Sequence, residues 1–283
     1  MTISFTKMHG LGNDFMVINA IDTPFNPDKS LIQQLANRHT GIGFDQCLII
    51  EKSHSSGIDF YYRIFNASGD EVGQCGNGAR CLMRYVFEKK LTRKKDITVK
   101  TCTTKMSLHL GHDNRVTLNM GIPKLAPNDI PMLYLEQKPY YTLNLEGHTP
   151  INFHAVNMGN PHVVIKVEDI KKAPVETLGD IICHHPLFPE FTNVGFMMHH
   201  DDNTLSLRVF ERGVGETLAC GSGAAAAAAI SRLYYQFEPN ISVHLPGGTL
   251  FINWIEQDSP LYLTGTATFV YDGVLFHGDT YLD

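Results

Sequence analysis

The chain of 283 residues lacks the patterns that would assign it to several common classes of protein. It contains no CxxC and no HExxH, and its six cysteines and fourteen histidines are not spaced as metal ligands. We therefore expect no metal site. The densest basic run is KKLTRKK at residues 89–95, and the net charge is −6. This charge balance argues against a nucleic-acid partner and favours a small-molecule ligand.

Long apolar segments are also missing. The first ten residues, MTISFTKMHG, do not contain the apolar core of a secretory signal, and no run approaches the length of a membrane span. We therefore expect a cytoplasmic protein without a membrane partner, in which thiols stay reduced. A chain of this length is expected to form two domains.

The chain contains one motif twice. Cys75–Ala79 reads CGNGA and Cys220–Ala224 reads CGSGA, 145 residues later. Upstream of the motif, GNDFMVI at 12–18 resembles GNPHVVI at 159–165, and downstream of it ITV at 97–99 recurs as ISV at 241–243. Further matches at these offsets are Arg63, Phe65, Glu71, Phe44 and Gln46 with Arg208, Phe210, Glu216, Phe191 and Asn193. Because the matches keep their order and nearly their offset, we infer a duplicated domain.

Each half has the same predicted elements. KMSLHL, RVTLNM, HVVIKV, LSLRVF and TLFINWI are short and alternating or β-branched, as in strands. One dominant helix is expected directly after each motif cysteine. The second, GAAAAAAISRLYYQ, is apolar on every face of its first two turns, which indicates a buried helix. We predict an α/β (α+β) fold of two pseudo-symmetric halves, each a mostly antiparallel or mixed sheet wrapped around a central buried helix. LAPNDIP at 125–131 is the expected hinge or linker.

The predicted position of Cys75 and Cys220 at helix N-termini indicates a chemistry. The helix dipole should lower each thiol pKa from about 8.5 toward neutrality. The first-turn N–H groups, which have no intrahelical partner, form a cradle suited to a carboxylate. If the halves are related by a pseudo-twofold axis, the two cysteines face each other and can invert a stereocentre by a two-base mechanism. No cofactor motif is evident. The remaining cysteines, Cys47, Cys81, Cys102 and Cys183, are expected to be structural and buried.

Four long motifs resemble the diaminopimelate epimerase family: HGLGNDF, RIFNASGDEVGQCGNGARC, NMGNPHVV and LRVFERGVGETLACGSGA. The resemblance covers essentially the whole chain. It implies a cofactor-independent isomerase that interconverts LL- and meso-diaminopimelate in lysine and peptidoglycan-precursor biosynthesis. It also implies that the C-terminal end returns to the first half, so that residues 1–121 plus 267–283 carry Cys75 and residues 122–266 carry Cys220.

The resemblance implies roles for individual residues. Cys75 and Cys220 match the acid/base pair. The residues that match the helix starts holding the reacting carboxylate are Gly76, Asn77, Gly221 and Ser222. The residues that match other polar substrate contacts are Asn13 and Gln46 near the reacting centre and Asn66, Asn160, Asn193 and Arg212 at the distal end. A guanidinium there can grip a carboxylate by two bonds.

Three further positions match residues that act less directly. Glu211 matches a residue that meets the substrate ammonium and tunes the thiols, and His162 matches a histidine with a similar tuning role. Tyr271 matches a tyrosine at a homodimer interface. In one departure, Ala225 stands where family members often carry an extra cysteine.

Alternatives remain open for several of these residues. Asn13, Asn66 and Asn160 have turn formation as an alternative role. The alternative for His162 is a structural role as a core histidine. The alternative for Glu211 and Arg212 is that they form an exposed ion pair.

Two other functions and one other use of the paired cysteines remain open. A proline or hydroxyproline racemase would use the same two-thiol design. A redox-responsive binding protein would use the pair as a reversible disulfide. A permanent disulfide joining the halves is the structural alternative.

Overall fold

A computed structural model describes residues 2–147 and 149–276. The chain divides into two compact units, an N-terminal unit of Met1–Leu118 with Gly265–Asp283 and a C-terminal unit of Asn119–Thr264. Among the described residues, no helix combines the length and apolar character needed to cross a membrane.

The elements alternate along the chain in two similar series. The strands are β1 (Thr2–Gly10), β2 (Asn13–Asn19), β3 (Gln46–Lys52), β4 (Phe60–Asn66), β5 (Glu71–Val72), β6 (Asp96–Lys100), β7 (Lys105–Leu110), β8 (Val116–Asn119), β9 (Tyr141–Leu143), β10 (Ile151–Asn157), β11 (Pro161–Lys166), β12 (Asn193–His199), β13 (Thr204–Glu211), β14 (Gly215–Thr217), β15 (Asn240–Leu245), β16 (Gly248–Asn253), β17 (Tyr262–Gly265) and β18 (Thr268–Phe276). The α-helices are α1 (Lys29–Ala36), α2 (Gly76–Glu88), α3 (Val175–Cys183) and α4 (Gly221–Tyr234), and the short 3-10 helices are Pro127–Asp129 and Ile170–Lys172.

In the N-terminal unit the sheet is mixed but mostly antiparallel. β1 pairs antiparallel with both β2 and β18, and β2 pairs parallel with β3. β3 and β4 are antiparallel, and β4 continues antiparallel to β5 and parallel to β6. β6, β7 and β8 follow as an antiparallel series. The strand-like sequences at 105–110 and 115–120 therefore form strands, as predicted.

The C-terminal unit repeats this pairing strand by strand. β10 pairs antiparallel with β9 and β11, and β11 pairs parallel with β12. β12 and β13 are antiparallel, and β13 pairs antiparallel with β14 and parallel with β15. β15, β16 and β17 are again antiparallel. The order of elements thus matches that of the N-terminal unit, and the prediction of two pseudo-symmetric halves is confirmed.

The two central helices begin where the sequence predicts, directly after Cys75 and Cys220. α2 packs on β1, β2, β3 and β7, and α4 packs on β10, β11, β12, β13, β15 and β16. Every residue from Gly223 to Ser231 of α4 is buried. Alanine has the highest helix propensity, and its small side chain lets strands approach the helix from all sides.

A second helix in each unit lies against the sheet and was not predicted. Asp28 is the N-cap of α1, and its Oδ1 accepts a hydrogen bond from the backbone N–H of Leu31 at 2.7 Å. Its Ile32 packs in one core with Met16 and Ile18 of β2. α3 packs against β12 and β13 in the same way. β2 and β12, which have helices on both faces, are mostly buried and apolar, whereas β13 alternates between apolar and polar residues.

The segment at 125–131 is not a linker, contrary to the sequence-based prediction. It contains the 3-10 helix Pro127–Asp129, and Ile130 is fully buried in a core with Phe153 and Phe188 of the C-terminal unit. An apolar anchor of this kind fixes the segment to its unit.

Candidate active site

Cys75 caps the N-terminus of α2. Its backbone is extended, with φ −153° and ψ 108°, and its Sγ accepts a hydrogen bond from the N–H of Gly78 at 3.3 Å. The side chain is partly exposed. The thiol therefore occupies the N-cap position, where it lies beside the positive end of the helix dipole.

Asn13 brings an amide to Cys75. Gly12, at φ 91°, makes the tight turn that starts β2. The Oδ1 of Asn13 lies 3.9 Å from the Sγ of Cys75 and 3.2 Å from the Nδ2 of Asn77. Its Nδ2 donates to the Oδ2 of Asp45 at 3.0 Å. Because an ionised carboxylate only accepts hydrogen bonds, Asp45 fixes the amide with its oxygen toward the cysteine.

Asp45 belongs to a charged network that sequence analysis missed. Arg38 donates to both oxygens of Asp14 at 2.8 and 2.9 Å and to the Oδ1 of Asp45 at 2.7 Å. Lys7 lies 2.6 Å from Asp14. Burial acts to raise the pKa of Asp14, but the hydrogen bonds from Arg38 and Lys7 outweigh it and hold that pKa well below its usual value. The repeat gave no signal for these residues, because the positions equivalent to Asp14 and Asp45 are proline and threonine.

Gln46 and Asn66 form a polar pair in the same unit. They lie opposite each other on β3 and β4, and the Nε2 of Gln46 donates to the Oδ1 of Asn66 at 2.8 Å. The Oε1 of Gln46 is buried and has no hydrogen-bond partner among the described residues. Asn66 also has a turn role, since its N–H donates to the carbonyl of Asp70 at 2.9 Å.

Cys220 caps α4 with the same geometry as Cys75 in α2. Its φ is −112° and ψ is 110°, and its Sγ accepts from the N–H of Gly223 at 3.3 Å. The thiol is 3% exposed and donates to the Oε2 of Glu211 at 3.1 Å. The hydroxyl of Thr217 donates to the other oxygen of Glu211 at 2.5 Å. Ser222 places its hydroxyl 3.6 Å from the sulfur.

The expectation of a lowered thiol pKa is wrong for Cys220. Burial raises its pKa well above the usual value, and the charge of Glu211 and the hydrogen bond to it act in the same direction. Hydrogen bonds with Ser222 and Gly223 oppose this shift without offsetting it. Burial also raises the pKa of Glu211, against hydrogen bonds from Thr217 and Cys220. The hydrogen bond between them therefore has its proton on sulfur.

Glu211 and Arg212 do not form the exposed ion pair that was the alternative. Glu211 points to Cys220, whereas Arg212 is exposed and donates from Nη1 to the carbonyl of Glu190 at 2.6 Å. The backbone N–H of Arg212 donates to the Oδ1 of Asn193 at 3.0 Å. The side chains of Glu211 and Arg212 thus point to different partners, Cys220 and the carbonyl of Glu190.

His162 is fully buried and uncharged. Its Nε2 lies 3.0 Å from the Oδ1 of Asn160, and its Nδ1 has no hydrogen-bond partner among the described residues. Burial lowers its pKa to about 3, and the charge of Arg212 acts in the same direction. His162 is in register with Asn193 on the parallel neighbour β12. Asn160, His162 and Asn193 therefore form one polar cluster in the C-terminal unit.

The other cysteines divide into two kinds. Cys47, Cys81 and Cys183 are buried, and burial raises the pKa of each, as expected of packing residues. Cys102 is exposed, so the expectation that it is buried is wrong. Within the described residues, which include all six cysteines, no disulfide forms.

Tyr271 lies on the edge element β18 of the N-terminal unit. It is 47% exposed, and its ring makes an edge contact with Phe5, with ring centroids 6.0 Å apart. Exposed apolar neighbours on the same strand are Val270, Val274 and Phe276.

The fold occurs in solved structures at low sequence identity. A phenazine biosynthesis protein of the PhzF family from Bacillus anthracis matches with a TM-score of 0.66 and 17% identity, covering 98% of this chain and 99% of that one. A hydroxyproline epimerase from Agrobacterium vitis, solved with trans-4-hydroxy-L-proline bound, matches with a TM-score of 0.68 and 13% identity, covering 97% and 92%. At this identity the likeness shows a shared fold.

Curated relatives are much closer in sequence. Diaminopimelate epimerases from Legionella pneumophila strains Corby and Lens are 56% identical over 275 residues, covering 97% of this chain and 99% of each relative. The diaminopimelate epimerase family profile matches residues 5–126 and 154–270. The chain therefore belongs to the diaminopimelate epimerase family of isomerases.

Proposed function

We propose that this protein interconverts LL- and meso-diaminopimelate without a cofactor, with Cys75 and Cys220 as its two acid/base groups. The observation that carries the proposal is that both cysteines cap their helices in the same way, each accepting an N–H bond at 3.3 Å. Of the six cysteines, these two stand at matched positions of the repeat, and each places its sulfur at a helix N-terminus.

In the proposed reaction one cysteine, as thiolate, removes the α-proton of the substrate. The other, as thiol, donates its proton to the opposite face of the same carbon. Each turnover leaves the first cysteine protonated and the second deprotonated. In the reverse reaction the second cysteine is the base and the first is the acid. The proposal requires both thiols to reach one carbon from opposite sides.

Charge that develops on the reacting carboxylate would be stabilised by the first turns of α2 and α4. Gly76, Asn77, Gly221 and Ser222 form these turns. Backbone N–H groups and the helix dipole are preorganised there, so they cost little reorganisation during the reaction. Because proton transfer between thiols and carbon needs no electron sink if this stabilisation suffices, no cofactor enters the proposal.

The polar residues of each unit would bind the rest of the substrate. Asn13 and Gln46 would contact it near the reacting carbon. At the distal end, the exposed guanidinium of Arg212 would grip the second carboxylate by two bonds. The amides that would contact this end are those of Asn66, Asn160 and Asn193. Glu211 would meet the substrate ammonium and, with His162, tune the thiols.

In the cell we place this reaction in lysine and peptidoglycan-precursor biosynthesis in the cytoplasm. We also propose a homodimer with Tyr271 at its interface, because the exposed aromatic ring and its apolar neighbours on β18 provide a contact surface. Sedimentation of the Tyr271→Ala variant tests this, and an unchanged dimer would place the interface elsewhere. No nucleic-acid or membrane partner is proposed.

The function is tested by following inversion of purified substrates by NMR in reducing buffer. LL- and meso-diaminopimelate should interconvert, whereas proline and hydroxyproline should not. Inversion of proline alone would keep the two-thiol chemistry and reject the substrate. Binding of diaminopimelate without any inversion would favour the redox-responsive binding protein.

A further inference from the structure

Arg80, on α2, is a buried cation whose hydrogen bonds all go to uncharged oxygens. It is 0% exposed. Its Nη2 donates to the Oδ1 of Asn77 at 2.9 Å, its Nε to the carbonyl of Thr266 at 3.1 Å, and its Nη1 to the carbonyl of Gly76 at 3.5 Å. No carboxylate of the described residues forms an ion pair with it. Burying a guanidinium without a counter-charge is unfavourable, so a buried anion nearby would be strongly favoured.

The hydrogen bonds of Arg80 lead to Cys75. Two of its three acceptors belong to Gly76 and Asn77, the first residues after the cysteine. The Nδ2 of Asn77 lies 3.2 Å from the Oδ1 of Asn13, which is 3.9 Å from the sulfur. A Cβ on Gly10 would lie 3.1 Å from the Nη2 of Arg80, so a glycine lets β1 run close over the guanidinium.

Other titratable groups around Cys75 are neutral or already paired. Burial raises the pKa of Tyr62 on β4 and of Cys81 on α2, so both stay protonated at neutral pH. Asp45, which bonds the far side of Asn13, is paired with Arg38. Among these groups Arg80 is the cation without a fixed carboxylate, and two of its hydrogen bonds end at the residues that follow Cys75.

The C-terminal unit has the opposite arrangement. The position equivalent to Arg80, 145 residues later, is Ala225, which is fully buried. The thiol of Cys220 instead donates to Glu211. The residues that follow Cys75 thus accept hydrogen bonds from a buried cation, whereas the thiol of Cys220 donates to a carboxylate.

We propose that Arg80 is a positioning residue that holds the Cys75 end of the site ready for negative charge, stabilising the Cys75 thiolate while Glu211 keeps Cys220 as a thiol. The free enzyme then rests with Cys75 as the base and Cys220 as the acid. Burial lowers the pKa of Arg80, and negative charge on Cys81 and, to a smaller extent, on Cys75 opposes that shift. This inference rests on the proposed function, in which both cysteines exchange protons with the substrate.

The test measures thiolate formation and needs no turnover. The full-length protein is alkylated with iodoacetamide across a pH series, and modification of Cys75 and Cys220 is quantified by peptide mass spectrometry. In Arg80→Met, the midpoint for Cys75 should rise by at least about one pH unit, a tenfold loss of thiolate at a given pH below the midpoint. Arg80→Gln, which keeps hydrogen-bond donors but no charge, should show the same rise. Arg80→Lys should restore much of the original midpoint.

Two controls separate charge from folding. Arg84→Met removes a charge one turn further along α2, where Arg84 bonds Glu88 and the carbonyl of Ala267, and should leave the Cys75 midpoint unchanged. Cys220 is read in the same digest and should keep its midpoint in every variant. An unchanged Cys75 midpoint in a folded Arg80→Met or Arg80→Gln protein overturns the inference, as does an equal shift at Cys220. Absence of epimerisation in the wild-type protein, together with the expected alkylation shifts in the variants, would count against the proposed function alone.

Discussion

Cys75 is followed on its helix by the buried Arg80, whereas the equivalent position after Cys220 is Ala225 and the thiol of Cys220 donates to Glu211. The backbones of the two sites are nearly the same, from the glycine turn to the N–H bond on sulfur. The difference lies in the charges around them. Duplication supplies two equivalent thiols, but an inversion needs one base and one acid at any moment. Divergence of the surrounding side chains is a direct way to make one thiol the base and the other the acid.

Removing either thiol is the largest change that the comparison predicts. Cys75→Ala and Cys220→Ala should each lower the epimerisation rate by about 10³-fold or more at pH 7 and 8, because each direction needs both an acid and a base. NMR of diaminopimelate inversion measures this loss. Cys102→Ala, at an exposed cysteine that does not cap a helix, is the matched control and should keep wild-type turnover. Near-normal turnover in either of the first two variants would rule out the two-base account.

Replacing Glu211 tests the polarity of the C-terminal site. Its carboxylate raises the pKa of Cys220, so Glu211→Gln should lower that pKa and reduce kcat by about 10²-fold. The pH dependence of Cys220 alkylation and of kcat measures both effects. Glu216→Gln removes a carboxylate that pairs with Arg208 instead, and should leave the Cys220 midpoint in place. An unchanged midpoint in Glu211→Gln would show that burial alone sets the thiol pKa.

The network behind Asn13 has no equivalent in the C-terminal unit and should have a smaller effect. Asp45→Asn lets the Asn13 amide adopt either orientation, because an amide can both donate and accept. We expect about a tenfold lower kcat/KM with little change in stability. Asp70→Asn, at an exposed carboxylate paired with Lys29, provides the control. Equal kinetics for the two variants would remove Asp45 from the positioning of Asn13.

The two units should also differ in their response to acid, which is the smallest effect. In the C-terminal unit, burial lowers the pKa of His162 to about 3 and, with Lys166, that of His199 to about 4, both from 6.5. The contribution of these two neutral histidines to the stability of the folded state is therefore full above pH 6.5, and it is lost as the pH falls toward these pKa values. In the N-terminal unit Asp14, whose pKa is held below the usual 3.8, keeps its contribution until the pH falls below that value.

Hydrogen exchange with mass spectrometry between pH 6.5 and 4 measures this difference. As the pH falls, protection should be lost first in the C-terminal unit, around β11 and β12. In His199→Gln this loss of protection should depend less on pH. Earlier loss of protection in β1–β3 would contradict the assignment of acid sensitivity to the buried histidines.

The features shared by both units could be predicted from sequence. The repeat located the cysteine caps, and the alanine run of α4 identified a buried helix. Arg80 and Asp45 remained hidden because a repeat comparison finds only what two copies share. The raised pKa of Cys220 was missed for another reason: burial and the contact with Glu211 depend on tertiary packing, which outweighs the local helix dipole.

The most direct test of two-base inversion follows deuterium in the first turnovers. LL-diaminopimelate is incubated with the enzyme in D2O, and both stereoisomers are analysed by NMR and mass spectrometry at a few per cent conversion. If separate cysteines remove and donate the proton, the first meso-diaminopimelate formed carries one deuterium at the inverted carbon, while the remaining LL-isomer stays unlabelled. Deuterium appearing in the LL-isomer as fast as in the product, or an unlabelled product, would contradict the account.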